Sequence, residues 1–495
     1  CQLDKYYLYN LNQYNKIINQ RNKLLKDFYF NSDLKDTITI WDSQLVSYGK
    51  QIIEARVRFI DQLNSMIEQI HKNLSGGVET LKIIYEPDVS CEDFEHKISL
   101  NMDKDIRVAI IDNGINEHLI KRRIEKNIAI DENGICIADT KNIDQQQFQH
   151  GTNCAMILEK YCPDCRLVSI RILDENGEGA IKNIYPALKW CYNNQICLVN
   201  LSLGTADFRD YEKLRCLINE YAAKGMIIVA ATANSGFVSY PASLTNVIGV
   251  ATTDSPLDYC KDYMQMGIDT VVPSVHTIRV HNVEISTSLS NSYAAPYISA
   301  LIANKLKANR TFEIKSLKRY ASEQSQLHMI SGIYEPDWVY RAYVLGIGTA
   351  SKAKHYFETV TGKYEEVQEE IDTIIAFSMA DLENLEIGNK SLIYLGKNDV
   401  PKINVQGFFW SRETRQQQII NNHYQGNGLD VPVVILAMES TIDSYYILIE
   451  LKKYFANDGY NAYTVSMEPE CVLYGLEYMP EPASDQETWK KFIES

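Results

Sequence analysis

Short, unbroken apolar runs that each end in a polar residue are the feature that most restricts how this chain can fold. The run from Val108 to Ile111 is entirely apolar, and Asp112 and an Asn-Gly turn follow it. Such a run indicates a strand that is buried on both faces of a sheet. The segments "CLVNLSLGT" and "GMIIVAATANSG" repeat the pattern, and the second ends at Asn234 in a turn. Because helical patterns alternate with these strands, the sequence predicts an α/β fold with a parallel sheet and helices on both faces.

Polar side chains at the ends of these elements form a candidate active site. Asp112 follows a strand, at the sheet edge where α/β proteins bind ligands, while His150 and Ser292 each stand at the start of a helical pattern. Taken singly, they indicate a turn residue, a structural histidine and an N-cap. Their order along the chain, with Asn234 between His150 and Ser292, is that of one class of serine hydrolase triad with an oxyanion donor.

Six motifs carry a resemblance to a known family. In chain order they are "VAIIDNG", "HGTNCA", "NLSLGT", "VAATANSG", "YPASLTNVIGVATTD" and "SNSYAAPYISA". Over residues 100–325 they resemble the successive motifs of subtilisin-like serine proteases, which implies that fold and serine endopeptidase activity on a peptide or protein substrate. The residue roles that the resemblance implies are catalytic for Asp112, His150 and Ser292, oxyanion donor for Asn234, and pairing with the substrate backbone for Ser202, Leu203 and Gly204.

The motifs depart from the family at a few positions. The usual Gly-Thr before the nucleophile is Ser290-Asn291, the usual glycine before the oxyanion asparagine is Ala233, and the second histidine of His-Gly-Thr-His is Asn153. None of these changes removes a reacting group. Because glycine often marks a backbone with positive φ or a close approach of substrate, Ala233 and Ser290 favour a tighter cleft or a slower reaction. The alternative function is therefore a weak or inactive subtilisin-like protein that binds peptides.

Residues 1–90 have a different pattern. Apolar residues at steps of three and four predict two antiparallel helices in a coiled-coil hairpin. The segments "YLYNLNQYNKIINQRNKLLKD", "WDSQLVSYGKQIIEARVRFIDQLN" and "LSGGVETLKIIYEP" resemble the helical arm of the repair ATPase RecF over residues 1–89. No G-x-x-x-x-G-K-[ST] loop occurs in the chain, so the resemblance does not extend to ATPase activity. Two roles stay open: the hairpin folds independently of the peptidase, or it occupies the cleft in place of a propeptide. The predicted seam residues are Tyr7, Leu11, Tyr14, Ile18, Leu25 and Phe28 in the first helix, and Trp41, Leu45, Tyr48, Ile52, Phe59, Leu63, Met66 and Ile70 in the second.

Residues 326–495 predict a second, small α/β domain of unknown role. The segments "DTIIAFSMA", "KSLIYLG", "DVPVVILAME" and "NAYTVSME" have the pattern of buried strands, and an amphipathic helix between the last two predicts a βαβ unit. Glu439 follows the third strand without a glycine-lysine pair, which makes a poor phosphate cradle. Recognition or scaffolding is the expected role, and by analogy such an appended domain suits a peptidase that matures a cytosolic precursor peptide.

Composition limits the partners and the compartment. The formal net charge of −15 opposes nucleic-acid binding, and we expect neither a leader nor a membrane-spanning segment, since the apolar runs are too short. Eleven scattered cysteines are more typical of reduced thiols than of a disulfide framework. The sequence therefore predicts a cytoplasmic protein that does not bind a membrane. Cys162 and Cys165 form a C-x-x-C without a second pair, which predicts a loop and no metal. No cofactor is expected. The resemblance to subtilisin-like proteases implies that calcium can bind, but the sequence does not indicate which residues would hold it. The oligomeric state and the cleavage preference stay open.

Overall fold

The structure is a computed structural model with two compact units, Cys1–Lys104 and Asp105–Ser495. The predicted boundaries near residues 90, 100 and 325 stay predictions. The residues that the structure describes are 5–27, 35–74, 81–85, 106–121, 124–139, 149–235, 237–253, 267–280, 283–308, 312–325, 335–346, 351–383, 385–396, 404–421, 432, 434–436, 438 and 443–480.

The described residues of the first unit include two long helices, α1 (Lys5–Asp27) and α2 (Lys35–Leu74). They are antiparallel, because contacts advance along α1 as they retreat along α2. Arg56 Nε donates to Tyr7 Oη at 3.0 Å, and Asn10 Nδ2 donates to Gln51 Oε1 at 2.9 Å. The predicted helical hairpin is therefore present.

The apolar seam of this hairpin is shorter than the sequence pattern suggests. Leu45 and Ile52 are buried as predicted, whereas Phe59 and Met66 are 41% and 62% exposed. The contact of Arg56 with the start of α1 shows the reason. The segment of α2 after this point extends past Lys5, where α1 begins, so it has no α1 residues opposite it. The coiled coil as such stays a prediction.

An eight-stranded sheet forms the centre of the second unit, in the order β3-β2-β4-β1-β5-β6-β7-β8. Every neighbouring pair is parallel except β2 and β3, so the predicted parallel sheet is confirmed. Two further strands, β9 and β10, form an antiparallel hairpin. The strands are β1 (Arg107–Asp112), β2 (Lys126–Ile130), β3 (Cys136–Ala138), β4 (Arg166–Arg171), β5 (Leu198–Leu201), β6 (Ile227–Ala231), β7 (Ile248–Thr252), β8 (Thr270–Val272), β9 (Thr277–Val280) and β10 (Val283–Ser286).

Helices cover both faces of this sheet. Alternate residues of β1 show the two layers. Val108 and Ile110 belong to the core under α3 (His150–Tyr161) and α6 (Asn291–Ala308). Ala109 and Ile111 belong to the core under α4 (Ile184–Asn193) and α5 (Tyr211–Ala223). Burial on both faces explains why β1 is an unbroken apolar run. None of the described helices combines the length and apolar composition that crossing a bilayer requires. The helices are α3 (His150–Tyr161), α4 (Ile184–Asn193), α5 (Tyr211–Ala223), α6 (Asn291–Ala308) and α7 (Ile314–Glu323), with short 3-10 helices at Ile181–Asn183 and Phe208–Asp210.

A second parallel sheet follows, with the order β12-β11-β13-β14-β15. The predicted strands in "DTIIAFSMA" and "KSLIYLG" are its central members β13 and β14. A separate two-stranded parallel pair joins β16 and β17. The elements are β11 (Arg341–Leu345), β12 (Glu358–Val360), α8 (Tyr364–Val367), β13 (Thr373–Ala376), α9 (Met379–Leu382), β14 (Ser391–Tyr394), β15 (Phe409–Ser411), α10 (Arg412–Asn421), α11 (Ser444–Asn457), β16 (Val465–Ser466), a 3-10 helix at Pro469–Tyr474 and β17 (Glu477–Tyr478).

The predicted βαβ unit around α11 differs from the structure. The described residues of "DVPVVILAME" are not in a strand, and Val434 and Ile435 are 68% and 85% exposed. Pro432 within this run has no backbone N–H to donate to a neighbouring strand, which partly explains why the predicted strand does not form at these residues. The strand after α11, β16, pairs with β17 instead. Glu439 lies outside the described residues.

A buried amide network ties the residues before β11 to the larger sheet. Asn219 Nδ2 on α5 donates to the carbonyl oxygens of Asp337 and Val339 at 2.7 and 3.1 Å. Asn246 Nδ2 donates to Asn219 Oδ1 at 2.9 Å and to Trp338 O at 2.8 Å. Both asparagine side chains are almost fully buried, so the network replaces the water that these groups would otherwise bind.

A buried ion pair also holds α7 against the larger sheet. Lys318 Nζ lies 2.8 Å from Asp269 Oδ2 and donates to the carbonyl oxygens of Thr245 and Val247. The Lys318 side chain is 1% exposed. We expect Lys318→Met to lower the free energy of unfolding by about 3–5 kcal/mol, because it leaves the Asp269 carboxylate buried without its cation. Urea denaturation followed by tryptophan fluorescence measures the change.

The matched control for Lys318→Met is Lys453→Met. Lys453 pairs with Glu450 at 2.9 Å on α11, and the two side chains are 59% and 48% exposed. Removing an exposed pair of this kind costs less than about 1 kcal/mol. Equal effects of the two substitutions would show that the Asp269 carboxylate does not depend on Lys318.

Candidate active site

The candidate site begins at the carboxyl end of β1, in the middle of the large sheet. Asp112 is the last residue of β1 and is 1% exposed. Its Oδ1 accepts a hydrogen bond of 2.8 Å from the backbone N–H of Asn113. Strand β1 lies between β4 and β5, so the carboxyl ends of neighbouring strands flank Asp112. This is the edge of the sheet at which the sequence predicts a site.

His150 stands at the first position of α3 and meets Asp112. Its Nδ1 lies 2.9 Å from both carboxylate oxygens of Asp112. Burial lowers the pKa of the imidazole, but the hydrogen bond and the negative charge of Asp112 outweigh it, so the pKa of His150 lies above its ordinary value. The ring is 31% exposed and therefore remains open to a reactant.

A glycine permits this close approach of α3 to β1. A Cβ at Gly151 would lie 2.5 Å from the carbonyl oxygen of Gly114 and 3.0 Å from Asp112 Cβ. The backbone N–H of Gly151 instead donates to Asn113 Oδ1 at 3.0 Å. The "HGT" of the sequence thus needs its glycine for space.

Ser292 is the second residue of α6 and lies in the same cluster. Tyr293, next to it, stacks on the His150 ring with centroids 5.1 Å apart. The Ser202 hydroxyl donates to the carbonyl oxygen of Ser292 at 2.8 Å. Among the described residues, no hydrogen bond joins Ser292 Oγ to His150. The structure brings Asp112 and His150 into direct contact and places Ser292 beside them.

Cys154 lies at the centre of this cluster, one turn after His150 on α3. Its Sγ is 3.9 Å from Asp112 Oδ2, 3.4 Å from Ser202 Oγ and 3.8 Å from the carbonyl oxygen of Ser292. Burial raises the pKa of this thiol well above its usual value, so the sulfur stays protonated. The sequence did not reveal that Cys154 lies between Asp112, Ser202 and Ser292, because a cysteine within a helix is equally typical of a packed core.

The same cluster is the place where a metal ion would find ligands. Atoms of Asp112, His150 and Cys154 lie within 4.8 Å of one another. A protonated, fully buried thiol is a poor ligand, and the Asp112 carboxylate is already engaged by His150. The absence of a metal stays a prediction. Cys162 and Cys165 lie in the loop between α3 and β4, and a hydrogen bond from Cys165 lowers the pKa of Cys162 to about 6 despite burial.

Asn234 lies in the turn after β6 and faces the start of α6. Its Oδ1 accepts from the backbone N–H of Asn291 at 2.9 Å, and its Nδ2 donates to Ser290 Oγ at 3.2 Å. Asn291, which is 4% exposed, in turn donates to the carbonyl oxygen of Ala233 at 3.1 Å. The sequence shows Asn291 as a departure from the family motif but does not reveal that Asn291 fastens α6 to this turn.

The predicted substrate strand continues directly from β5. Ser202 is buried, and its hydroxyl accepts a hydrogen bond from Asn200 Nδ2 at 3.0 Å. The Ser202 side chain is therefore part of the hydrogen-bond network of the cluster. Leu203 packs partly against the core. Gly204 passes close to Tyr240, whose carbonyl oxygen would lie 2.7 Å from a Cβ at this position. Substrate binding by Ser202, Leu203 and Gly204 stays a prediction.

Comparison with known proteins shows what this region is similar to. Residues 103–332 match the Subtilase family (Peptidase_S8). The recognition of a subtilisin-like segment from its six motifs is thereby confirmed. The minor extracellular protease Epr of Bacillus subtilis is 26% identical over 215 residues, which is 40% of this chain and 32% of Epr. The solved structure of sphericase has 22% sequence identity and a TM-score of 0.36, and the match covers 44% of this chain and 82% of sphericase.

The N-terminal segment has relatives of a different kind. The DNA replication and repair protein RecF of Lachnospira eligens is 49% identical over 115 residues, which is 23% of this chain and 32% of that protein. RecF of Lachnoclostridium phytofermentans is 45% identical over 114 residues, with the same coverage of 23% and 32%. The RecF-like character of the N-terminal segment is confirmed. The chain spans about a third of the length of the curated relatives it matches.

Proposed function

We propose that this protein is a serine endopeptidase in which Asp112, His150 and Ser292 form the triad and Asn234 is an oxyanion donor. The observation that carries the proposal is the contact of His150 Nδ1 with both oxygens of the buried Asp112 carboxylate, beside the start of α6. The match to the Subtilase family supports it.

The proposed chemistry begins with a proton transfer. A serine hydroxyl is a weak nucleophile at neutral pH, so Ser292 needs a base within hydrogen-bond reach. Since Nδ1 of His150 is turned to Asp112, its Nε2 is the nitrogen that accepts the Ser292 proton and returns it to the leaving amine. This hydrogen bond is proposed to form when substrate is bound, as catalytic contacts often do.

The negative charge then develops on the carbonyl oxygen of the substrate. The backbone N–H of Ser292, at the start of an 18-residue helix, and the Nδ2 of Asn234 are the proposed donors to this oxygen. The residues after β5 would pair with the extended backbone of the substrate.

The proposed substrate is a peptide or protein, and the proposed setting is maturation of a precursor peptide in the cytoplasm without nucleic acid, membrane or cofactor. The cysteines within the described residues are free thiols, which suits a reducing compartment. The appended α/β region supplies a second surface on the same compact unit as the peptidase sheet.

A fluorophosphonate probe tests the proposal. We expect one adduct per folded chain, which peptide mass spectrometry locates on Ser292, because only a hydroxyl with a base and an oxyanion hole reacts quickly. Heat-denatured protein is the control and should remain unlabelled. Labelling that is confined to other residues, or that survives denaturation, would refute the proposal.

One observation favours a second candidate function, a catalytically weak protein that binds peptides. Both proposed oxyanion donors already bond to an oxygen of the protein itself, the hydroxyl of Ser290. A permanently occupied hole would leave binding intact and slow the chemistry. The same probe separates the two candidates, because the second one predicts a folded protein with almost no labelling.

A further inference from the structure

The hydroxyl oxygen of Ser290 accepts hydrogen bonds from one side-chain donor and one backbone donor. Asn234 Nδ2 donates to Ser290 Oγ at 3.2 Å, and the backbone N–H of Ser292 donates to the same oxygen at 3.3 Å. These are the two donors proposed above for the oxyanion. The oxygen of Ser290 therefore takes the position of an acceptor in that hole.

Helix capping explains only one of these bonds. Ser290 immediately precedes α6, and an N-cap serine normally accepts from the second or third N–H of its helix, here that of Ser292. The bond from Asn234 has a different cause. Asn234 is fixed from its other end, because its Oδ1 accepts from Asn291 N–H at 2.9 Å, and this fixed amide points its Nδ2 at Ser290.

The backbone at Ser290 imposes no requirement for glycine. Among the described residues other than glycine, a positive φ occurs at Gln195 and not at Ser290 or Ala233. Ser290 and Ala233 therefore do not adopt the left-handed conformation. The Ser290 N–H donates to Ser274 Oγ at 3.4 Å. Serine is thus accommodated without backbone strain, and rotation about χ1 is enough to move its hydroxyl away from the donors.

We infer that the Ser290 hydroxyl closes the oxyanion hole of the resting enzyme and that the substrate carbonyl oxygen displaces it. The inference rests on the proposed function. Displacement exchanges two bonds to a neutral hydroxyl for two bonds to an oxygen that gains charge, and bonds to a charged acceptor are stronger. The hole therefore opens for a reacting carbonyl, but every turnover includes the loss of the Ser290 contacts.

Ser290→Gly tests this inference. We expect kcat/KM for a peptide substrate and the rate constant for fluorophosphonate inactivation both to rise about tenfold, because two modest hydrogen bonds no longer compete for the donors. Glycine is nearly as good an N-cap as serine, so the fold should persist. Ser290→Ala, which retains the Cβ and lacks the oxygen, should show the same direction of change.

Two further measurements separate this effect from a structural one. A peptide aldehyde, whose hemiacetal oxygen enters the hole, should bind Ser290→Gly about tenfold more tightly, whereas a cleaved product peptide should bind both proteins equally. The gain should shrink to about threefold when Asn234→Ala is present in both proteins, since one of the two shared donors is then missing. Ser378→Gly, which removes the serine N-cap of α9, is the control for loss of a cap and should leave kcat/KM unchanged.

The outcomes are distinguishable. A lower or unchanged kcat/KM in Ser290→Gly, with a wild type that reacts with the probe, overturns the inference and leaves the proposed function standing. A wild type that barely reacts together with a variant that reacts readily supports a closed hole. If neither folded protein reacts, the proposed function and the inference both fail.

Discussion

Ser292→Ala is expected to lower kcat for peptide hydrolysis by about a millionfold and to abolish fluorophosphonate labelling. Ser292 is the second residue of α6, next to Tyr293, which stacks on the imidazole of His150. The carbonyl oxygen of Ser292 accepts a hydrogen bond from Ser202. Loss of the hydroxyl removes the atom that would form the covalent intermediate, while the helix start and the oxyanion donors stay in place. The reaction that remains would depend on binding and the oxyanion hole alone.

Steady-state hydrolysis of a fluorogenic peptide library and a labelling gel measure this effect. Ser286→Ala is the matched control, because Ser286 is an exposed serine on β10 and lies outside the Asp112, His150 and Ser292 cluster. Circular dichroism and the melting temperature should be alike for all three proteins. Hydrolysis by Ser292→Ala within tenfold of the wild type would contradict the assignment of the nucleophile.

The sequence predicted where Asp112 and His150 lie in the fold, because the rule behind that prediction is geometric. The carboxyl ends of parallel strands meet at one edge of a sheet, so a polar residue after an apolar run, such as Asp112, is placed at that edge by the strand itself. His150 follows the same logic at a helix start. These placements depend on backbone periodicity, which is visible in a single sequence.

The connections between these residues could not be predicted in the same way. The contacts of Cys154 with Asp112 and Ser202, and of Asn234 with Ser290, join residues that are tens of positions apart in the chain. They depend on side-chain rotamers and on the packing of α3 against α6. The sequence showed that Ser290 replaces a glycine, but only the structure shows which donors its hydroxyl meets.

The C-terminal region shows a different limit. The strands β13 and β14 were predicted because they are short, apolar and buried on both faces. The run around Val434 is as apolar as these strands, yet Val434 itself is exposed and is not in a strand. Local hydrophobicity does not reveal whether a sheet edge is free to receive a strand, so the predicted βαβ unit was wrong in this described part.

Asp112→Asn is expected to lower kcat/KM by about ten-thousandfold, the loss seen when a triad aspartate becomes an amide. The Asp112 carboxylate accepts from His150 Nδ1 with both oxygens, which keeps the proton on Nδ1 and leaves Nε2 free to accept. The amide of asparagine donates as well as accepts, so it also stabilises the tautomer that carries its proton on Nε2. That tautomer cannot take the proton of Ser292.

The pH dependence of kcat/KM separates this role from simple packing. Burial lowers the pKa of His150, and Asp112 more than compensates, so the wild-type pKa lies above its ordinary value. The neutral imidazole is the active base, which means that activity falls as pH decreases through this raised pKa. In Asp112→Asn the effect of burial persists without the compensating charge, so the acid limb should move to lower pH while the plateau falls. Asp131→Asn, in the turn between β2 and β3, is the control and should change neither. An acid limb at the wild-type pH, or a plateau within tenfold of the wild type, would show that Asp112 does not hold the catalytic base.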